Sequence, residues 1–444
     1  MIEFPEHKTK IVCTIGPASS TEEVLERLLK TGMNVARLNF AHGTLESHRE
    51  VIKRIRKVSS KLNLPCMILG DLPGPKIRIG KLQKEPLYLT KGESIILTTK
   101  ESTYSEKKIH VNYDKLPESV SVGSVIYIND GFIQLQVEEV LDYEIRCTVL
   151  IGGELLSGKG LNLPGAKLYV EPVTAKDFEF IEFSLNEGID AIGVSFVERA
   201  EDIRRVKKFA EAKGSFVYVV AKIERAEALE NIDEIVEAAD AIMIARGDLG
   251  VQIPLEDVPS VQKKLIHKAN LMAKPVIIAT QMLISMTQNI RPTRAEVSDV
   301  ANAILDGADA LMLSEETAIG RYPVESTAML VRIASSTERQ RKEINSLTDL
   351  SNISKFKPDC WILVICSNEK VRNFLTLSYG VIPLLLENKD EVIDGATVRA
   401  IVDEIGGQKD AKVVLTEITS PEHPNFIDSL KIITLKYTEQ KTKE

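Results

Sequence analysis

The chain has 444 residues, 44% hydrophobic and 27% charged, with a formal net charge of -8. Such a composition gives an ordinary globular protein with room for two or three domains. The acidic balance argues against a nucleic-acid partner, because binding to phosphate backbones draws on clustered excess Lys and Arg. No apolar stretch approaches the length needed to span a membrane, and the first residues lack a basic segment followed by an apolar one, so the expected setting is cytoplasmic. Five cysteines, Cys13, Cys66, Cys147, Cys360 and Cys366, are odd in number and mostly embedded in apolar runs, and read as reduced and structural.

Short β-branched runs alternate with longer amphipathic stretches, first over residues 10–70 and again over about 172–338. That alternation is the rhythm of a parallel β/α fold. The predicted strands cover residues 10–15, 34–38, 66–70, 191–194, 217–221, 241–245, 275–279 and 310–313, with helices such as 21–31 and 229–238 between them. Eight such units predict a closed (β/α)8 barrel of the TIM-barrel type, with three strands before residue 75 and five after 185. Over 73–167 the pattern changes to period-two alternation, as in Ile133, Gln134, Leu135, Gln136, Val137, and predicts an inserted all-β domain. Asn129, Asp130 and Gly131 are a turn signal within it. From about 341 a polar stretch leads into strands at 361–365, 412–415 and 430–435 and a helix from Glu369, a small α/β domain, and 436–444 reads as a solvated tail. The expected division is thus 1–72 with 168–340, then 73–167, then 341–444.

Polar groups recur where the barrel strands end: Thr14, then Arg37 with Asn39 and His42, then Asp71, Ser195, Lys222 with Glu224, Arg246 with Asp248, Thr280 with Gln281, and Ser314 with Glu316. One polar strand end is a cap or turn former, but eight in step point to a site at one rim of the barrel. Lys222 and Glu224 lie one β/α unit before Arg246, Gly247, Asp248, Leu249, Gly250. Two carboxylates, a cation and a backbone without Cβ suit a divalent metal beside an anionic substrate. For any single Lys/Glu pair a surface ion pair is the bland alternative.

With these runs in view the chain resembles the pyruvate kinase family over nearly its whole length. The matching stretches are 10–17, 33–43, 74–78, 159–165, 221–224, 243–250, 279–283, 291–296 and 306–317. The resemblance implies transfer of the phosphoryl group of phosphoenolpyruvate to ADP, giving pyruvate and ATP in glycolysis, on a barrel with an inserted β lid and a C-terminal α/β domain. It further implies Lys222 as the cation on the moving group, and Glu224 and Asp248 as ligands of Mg2+, with Mn2+ as an alternative. Gly247, Asp248 and Thr280 would receive the substrate carboxylate, and Arg37 and Arg78 would clamp the phosphoryl group. Asn39, His42, Arg78 and Lys159 would lie on the nucleotide side, with Asp71 beside them, and Lys159 would act as a mobile finger of the lid. Thr280, with Ser314 as the weaker candidate, would serve the enol proton, and the family habit is a homotetramer. On the residues alone His42 reads as a loop histidine.

Three departures from the family pattern stand out. Ala41 and Leu72 replace a serine and a threonine that help hold K+ near Asn39 and Asp71, while Lys76 replaces a glutamate, so activity without K+ is expected, with Lys76 as the replacing cation. The C-terminal domain looks short by a strand and a helix, and the loop that takes a sugar-phosphate effector has no clear counterpart. Glu315 stands where a glycine is frequent. Two alternative readings share part of the pattern: a lyase or carboxylase acting on phosphoenolpyruvate, which gives no reason for Arg78 and Lys159, and a non-catalytic metabolite sensor, which gives none for Lys222.

Overall fold

In the computed structural model, which describes residues 7–100, 108–129, 131–166, 168–345, 362–366, 369–385, 412–417 and 429–434, eight short parallel strands close into a barrel. They are β1 (Lys10–Thr14), β2 (Val35–Asn39) and β3 (Met67–Asp71), followed after an insertion by β12 (Ala191–Val194), β13 (Tyr218–Ile223), β14 (Ala241–Ala245), β15 (Val276–Ala279) and β16 (Ala310–Leu313). The order around the barrel is β1-β16-β15-β14-β13-β12-β3-β2. Helices cover the outer face and packed side chains fill the interior, so strands such as Ala241–Ala245 are buried at every position. Val12, Val35, Leu69, Met243 and Ile277 belong to the inner cluster, while Ile11, Leu38, Ile244 and Ile278 face the helices.

Helix ends follow local chemistry. Thr21 caps the helix Glu22–Thr31 through the Val24 amide, and Thr293 forms a reciprocal capping box with Glu296 ahead of Arg294–Asp306. The single helix expected over 229–238 is instead two, Ala226–Glu230 and Ile232–Ala238. They part at Asn231, whose side-chain amide donates to the Glu198 carbonyl at 2.9 Å.

Between β3 and β12 lies an antiparallel-rich β domain, as the alternation predicted. Its strands are β4 (Leu87–Leu89), β5 (Ser94–Thr98), β6 (Lys108–His110), β7 (Val125–Ile128), β8 (Ile133–Val140), β9 (Glu144–Ile151), β10 (Gly153–Leu155) and β11 (Leu161–Asn162). Six of them form a sheet in the order β11-β7-β8-β9-β5-β6, and β10 pairs with β4. They enclose a core of their own that includes Ile95, Leu97, Ile126, Leu135, Val137 and Val149. Asn129 and Gly131 take positive φ at the β7–β8 connection, as the turn signal required; Asp130 lies outside the described residues.

Beyond the barrel, β17 (Ile362–Cys366), the helix Glu369–Leu375 and β18 (Val381–Leu385) make a parallel βαβ unit. β18 was not expected from the sequence, since Pro383 in its middle argues against a strand. These residues belong to the same compact body as the barrel, His7–Leu385. A second body comprises 1–6 and 386–444, and in it β19 (Lys412–Glu417) and β20 (Ser429–Thr434) pair antiparallel. The polar stretch at 351–358 and the tail at 436–444 lie outside the described residues.

The segment after β17 closes the floor of the barrel, opposite the polar rim. Leu377 is fully buried in the inner cluster, and Phe374 stacks on Tyr218 with ring centroids 3.8 Å apart. Asn373 donates to Asp190 at 2.9 Å, the Tyr379 amide to Asp309 at 3.1 Å, and the Lys10 ammonium to the Val381 carbonyl at 2.8 Å. Burial lowers the Lys10 ammonium from 10.5 to about 8, against the opposing pull of Glu338 and Asp309. Cys13, Cys66 and Cys147 are buried and free, and burial pushes each thiol up to about 12, in line with a structural role.

Because the folded pKa of Lys10 lies below its unfolded value, this group binds more proton in the unfolded chain between pH 8 and 10.5, and its contribution to stability rises with pH across that window. The contribution is about 3 kcal/mol. Buried thiols pull the other way above pH 9, so the reading is differential: between pH 7.5 and 10 the urea midpoint of the wild type should gain on that of Lys10→Met. Equal slopes in the two proteins would show that Lys10 does not carry the effect.

Candidate active site

At the carboxyl ends of β2, β3 and β13 the side chains form one buried chain of charges. The Arg37 guanidinium forks onto Asp71 Oδ2 through Nε at 2.7 Å and Nη2 at 2.5 Å, and its Nη1 donates to Thr14 Oγ1 at 3.0 Å. Lys222 Nζ lies 3.0 Å from Asp71 Oδ1, an ion contact without hydrogen-bond alignment, and 3.0 Å from Glu224 Oε1. It also donates to Ser195 Oγ at 2.6 Å, and that hydroxyl donates on to the Leu72 carbonyl at 2.7 Å. Lys222, Asp71 and Glu224 are 8%, 1% and 2% exposed, so the charges are out of water and stable only through one another. Gly193 makes room for them, since a Cβ there would sit 3.2 Å from Asp71 Oδ1 and 3.6 Å from the Lys222 side chain.

The protonation states follow from this packing. Burial alone would lower the Lys222 ammonium, but the carboxylates of Asp71 and Glu224 outweigh it and hold the pKa above its ordinary value. Burial would raise Asp71, yet Lys222 and Arg37 bring it below the usual range. Glu224 goes the other way: burial and the negative charges of Asp248 and Asp71 hold it up, against Lys222.

Glu224 and Asp248 follow the neighbouring strands β13 and β14, near enough for the charge of Asp248 to act on Glu224. Glu224 Oε2 accepts the Phe196 amide at 2.9 Å, and Asp248 Oδ1 accepts Lys76 Nζ at 2.9 Å from the root of the inserted domain. The run from Arg246 is a helix, Arg246–Gln252, opening directly from β14, where the sequence reading had a glycine-bearing strand end. Among the described residues no three His, Cys, Asp or Glu side chains gather as a metal nest. Two hard oxygen donors whose repulsion raises one of them fit a divalent cation that takes its other ligands from substrate and water.

The end of β15 is strained. Thr280 and Gln281 both take positive φ, 72° and 54°, at a cost of about 1–2 kcal/mol each for residues with a Cβ. Thr280 Oγ1 accepts the Gly247 amide at 2.8 Å and donates to the Ala279 carbonyl at 2.6 Å. Arg246 clamps the turn from one side, with Nη2 on the Thr280 carbonyl at 2.9 Å and Nη1 on Asp299 at 2.7 Å. Glu316, fully buried, holds it from the other through the amides of Leu283 at 3.0 Å and Ser314 at 2.8 Å. Ser314 itself is half-buried, and Glu315 is exposed at the start of the short helix Glu315–Ala318.

Where the chain enters and leaves the inserted domain, Arg78 bridges to Gly160, the Ile79 amide donates to the Lys159 carbonyl at 3.0 Å, and Arg78 Nη1 donates to the Gly158 carbonyl at 2.8 Å. Arg78 and Lys159 therefore sit side by side at the lid root. Asn39 accepts the Ala41 amide at 3.1 Å, and His42 is exposed on the segment after β2 with its carbonyl bonded to the His48 ring at 2.8 Å. Asn39 lies beside Asp71 in the barrel ladder, but among the described residues no side-chain hydrogen bond links Asn39 or His42 to the ion chain.

Residues 6–327 match the pyruvate kinase barrel-domain model, and 351–433 match the pyruvate kinase alpha/beta-domain model. The chain belongs to the pyruvate kinase family. A pyruvate kinase of Thermococcus litoralis is 48% identical, over 94% of this chain and 96% of its own length. One of Geobacillus stearothermophilus is 42% identical over 89% of this chain and 75% of its own, and pyruvate kinase 2 of Synechocystis is 42% identical over 85% and 71%. Membership makes this chain a phosphotransferase and implies a divalent metal requirement.

Within this pyruvate kinase framework the structure brings Arg37, Asp71, Lys222 and Glu224 into one contact chain, joins Gly247 to Thr280, and joins Asp248 to Lys76. It also gives tasks to residues that the sequence singled out only as strand ends, Ser195, Arg246 and Glu316. The Phe196 amide had no signal in the sequence, because its use depends on a positive φ of 55° and on Glu224 arriving from another strand. Arg246→Lys keeps the charge but cannot reach Asp299 and the Thr280 carbonyl together. Turnover should fall at least about tenfold as the Thr280 turn relaxes, read by steady-state kinetics alongside circular dichroism. Unchanged turnover would mean the turn holds without the fork.

Proposed function

We propose that the protein transfers the phosphoryl group of phosphoenolpyruvate to ADP and protonates the resulting enolpyruvate, making pyruvate and ATP in glycolysis. The observation that carries this reading is the Lys222 ammonium, buried yet held charged between Asp71 and Glu224 beside a second carboxylate, Asp248. Phosphoryl transfer needs alignment and fixed positive charge around the moving group more than it needs a nucleophile from the protein. Lys222 supplies that charge without reorganisation, and Arg37, locked by Asp71 and Thr14, supplies a second cation on the same side. Glu224 and Asp248 would hold Mg2+, or Mn2+ in its place, and the bound cation would neutralise substrate carboxylate and phosphate oxygens. Thr280 would pass its hydroxyl proton to the enolate carbon and take one back from ordered water, and when that hydroxyl turns, the Gly247 amide becomes free for the substrate carboxylate. Arg78 and Lys159, on the lid root, reach the nucleotide phosphates as the lid closes and water leaves. Asn39 and His42 complete the nucleotide side, and Ser314 is the weaker proton candidate.

The same reading includes independence from K+. Ala41 offers no side-chain oxygen, Leu72 is a buried apolar residue, and Lys76 adds an ammonium next to the site. It also includes the division into 1–72 with 168–340, 73–167 and 341–444, a shortened third domain, a homotetramer and a cytoplasmic setting. Among the described residues no helix is long and apolar enough to cross a membrane.

Purified protein given phosphoenolpyruvate, ADP and Mg2+ should yield ATP in a coupled assay. Glu224→Ala should abolish the activity, and Lys222→Met should lower turnover by about a thousandfold or more, with circular dichroism unchanged in both. Retained activity in Lys222→Met would remove the central cation from the mechanism. Turnover in Na+ or tetramethylammonium buffer should equal that in K+, and a large K+ stimulation would overturn the role given to Lys76.

A further inference from the structure

Lys76 crosses from the lid root to the barrel, and the path is built for it. Its amide is tied to the Gly74 carbonyl at 3.0 Å, and its side chain runs over Gly160, where an added Cβ would come within 3.2 Å of Lys76 Cε. Its Nζ ends 2.9 Å from Asp248 Oδ1, with the two side chains 27% and 20% exposed. The other carboxylate of the pair is already committed, Oε1 to Lys222 and Oε2 to the Phe196 amide. Both carboxylates thus already face an ammonium, Glu224 that of the buried Lys222 and Asp248 that of the more exposed Lys76.

Resting on the reading of Glu224 and Asp248 as a divalent-cation site, we propose that Lys76 is the cation's intramolecular competitor, neutralising Asp248 while the site is empty of metal and giving up that contact when the metal binds. An ammonium at Asp248 Oδ1 repels a cation arriving at either oxygen of that carboxylate, so metal binding works against the ion pair. The ammonium has somewhere to go. A narrow cleft of about 20 Å3 that opens to solvent lies beside it, lined by Lys76, Asn162, Phe196, Arg225 and Gln252. The intrinsic grip of the two carboxylates is thus greater than the apparent one, the difference being the free energy of the Lys76 pair. Giving up Asp248 leaves the ammonium at the lid root, so this role at the divalent site is compatible with the one given to Lys76 in place of K+.

The test is titration of the ligand-free full-length protein with Mn2+, with free ion read by its electron paramagnetic resonance signal. Lys76→Met should lower the apparent dissociation constant by about fivefold, the worth of one partly exposed ion pair. Gly160→Ala, which keeps the charge but pushes the side chain off its path, should shift the constant in the same direction. Asp248→Asn reports on the underlying site: if wild-type Mn2+ binding survives that change, the metal reading itself falls. If Asp248→Asn removes binding while Lys76→Met and Gly160→Ala bind no tighter than the wild type, the site stands and the competitor role is overturned.

Discussion

The constraint on which the site depends is the burial of the Lys222 ammonium between Asp71 and Glu224. A lone ammonium at that depth would lose its proton, and either carboxylate alone would gain one. Together they stay charged, and Arg37 on the far side of Asp71 extends the arrangement so that no member is left uncompensated. Charge fixed in this way does not have to be gathered from water when a phosphoryl group moves past it.

Neighbouring parts of the rim are arranged around that chain. Ser195 and Phe196, at the end of β12, aim Lys222 and Glu224 respectively, one through a hydroxyl and one through an amide. Arg246 and Glu316 hold the two left-handed residues at the end of β15 and so fix Thr280 against Gly247. Strain at such a turn persists only where the surroundings over-determine it, and here two side chains from the helical starts after β14 and β16 do so. The inserted β domain touches the rim through Lys76, whose contact with Asp248 places a lid residue on the barrel's own carboxylate.

The opposite face has another task. The segment 369–381 closes the barrel floor with Leu377 and Phe374 and with a set of buried hydrogen bonds to Asp190, Asp309 and Lys10. The barrel thus draws part of its stability from chain that follows it in sequence, while its chemistry stays at the far rim, the division of labour expected of the architecture.

Much of this was determined by the sequence alone. Eight apolar runs of the right length, the switch to period-two alternation over the insertion, and polar residues in step at the strand ends are local patterns, and they carried the barrel, the β domain and the rim. Residues such as Lys222 and Glu224 were legible because they share a strand and their spacing puts both on one side of it. What only the tertiary structure decided were meetings between strands: Asp71 with Lys222, Arg246 with Thr280, Phe196 with Glu224, and Lys76 with Asp248. The break at Asn231, the strand through Pro383 and the helical start at Arg246 also went against or beyond local pattern. The physical reason is the same throughout. Propensity and periodicity act over a few residues, whereas these contacts join residues 28 to 172 positions apart, and their energies come from burial and charge that exist only once the barrel has closed.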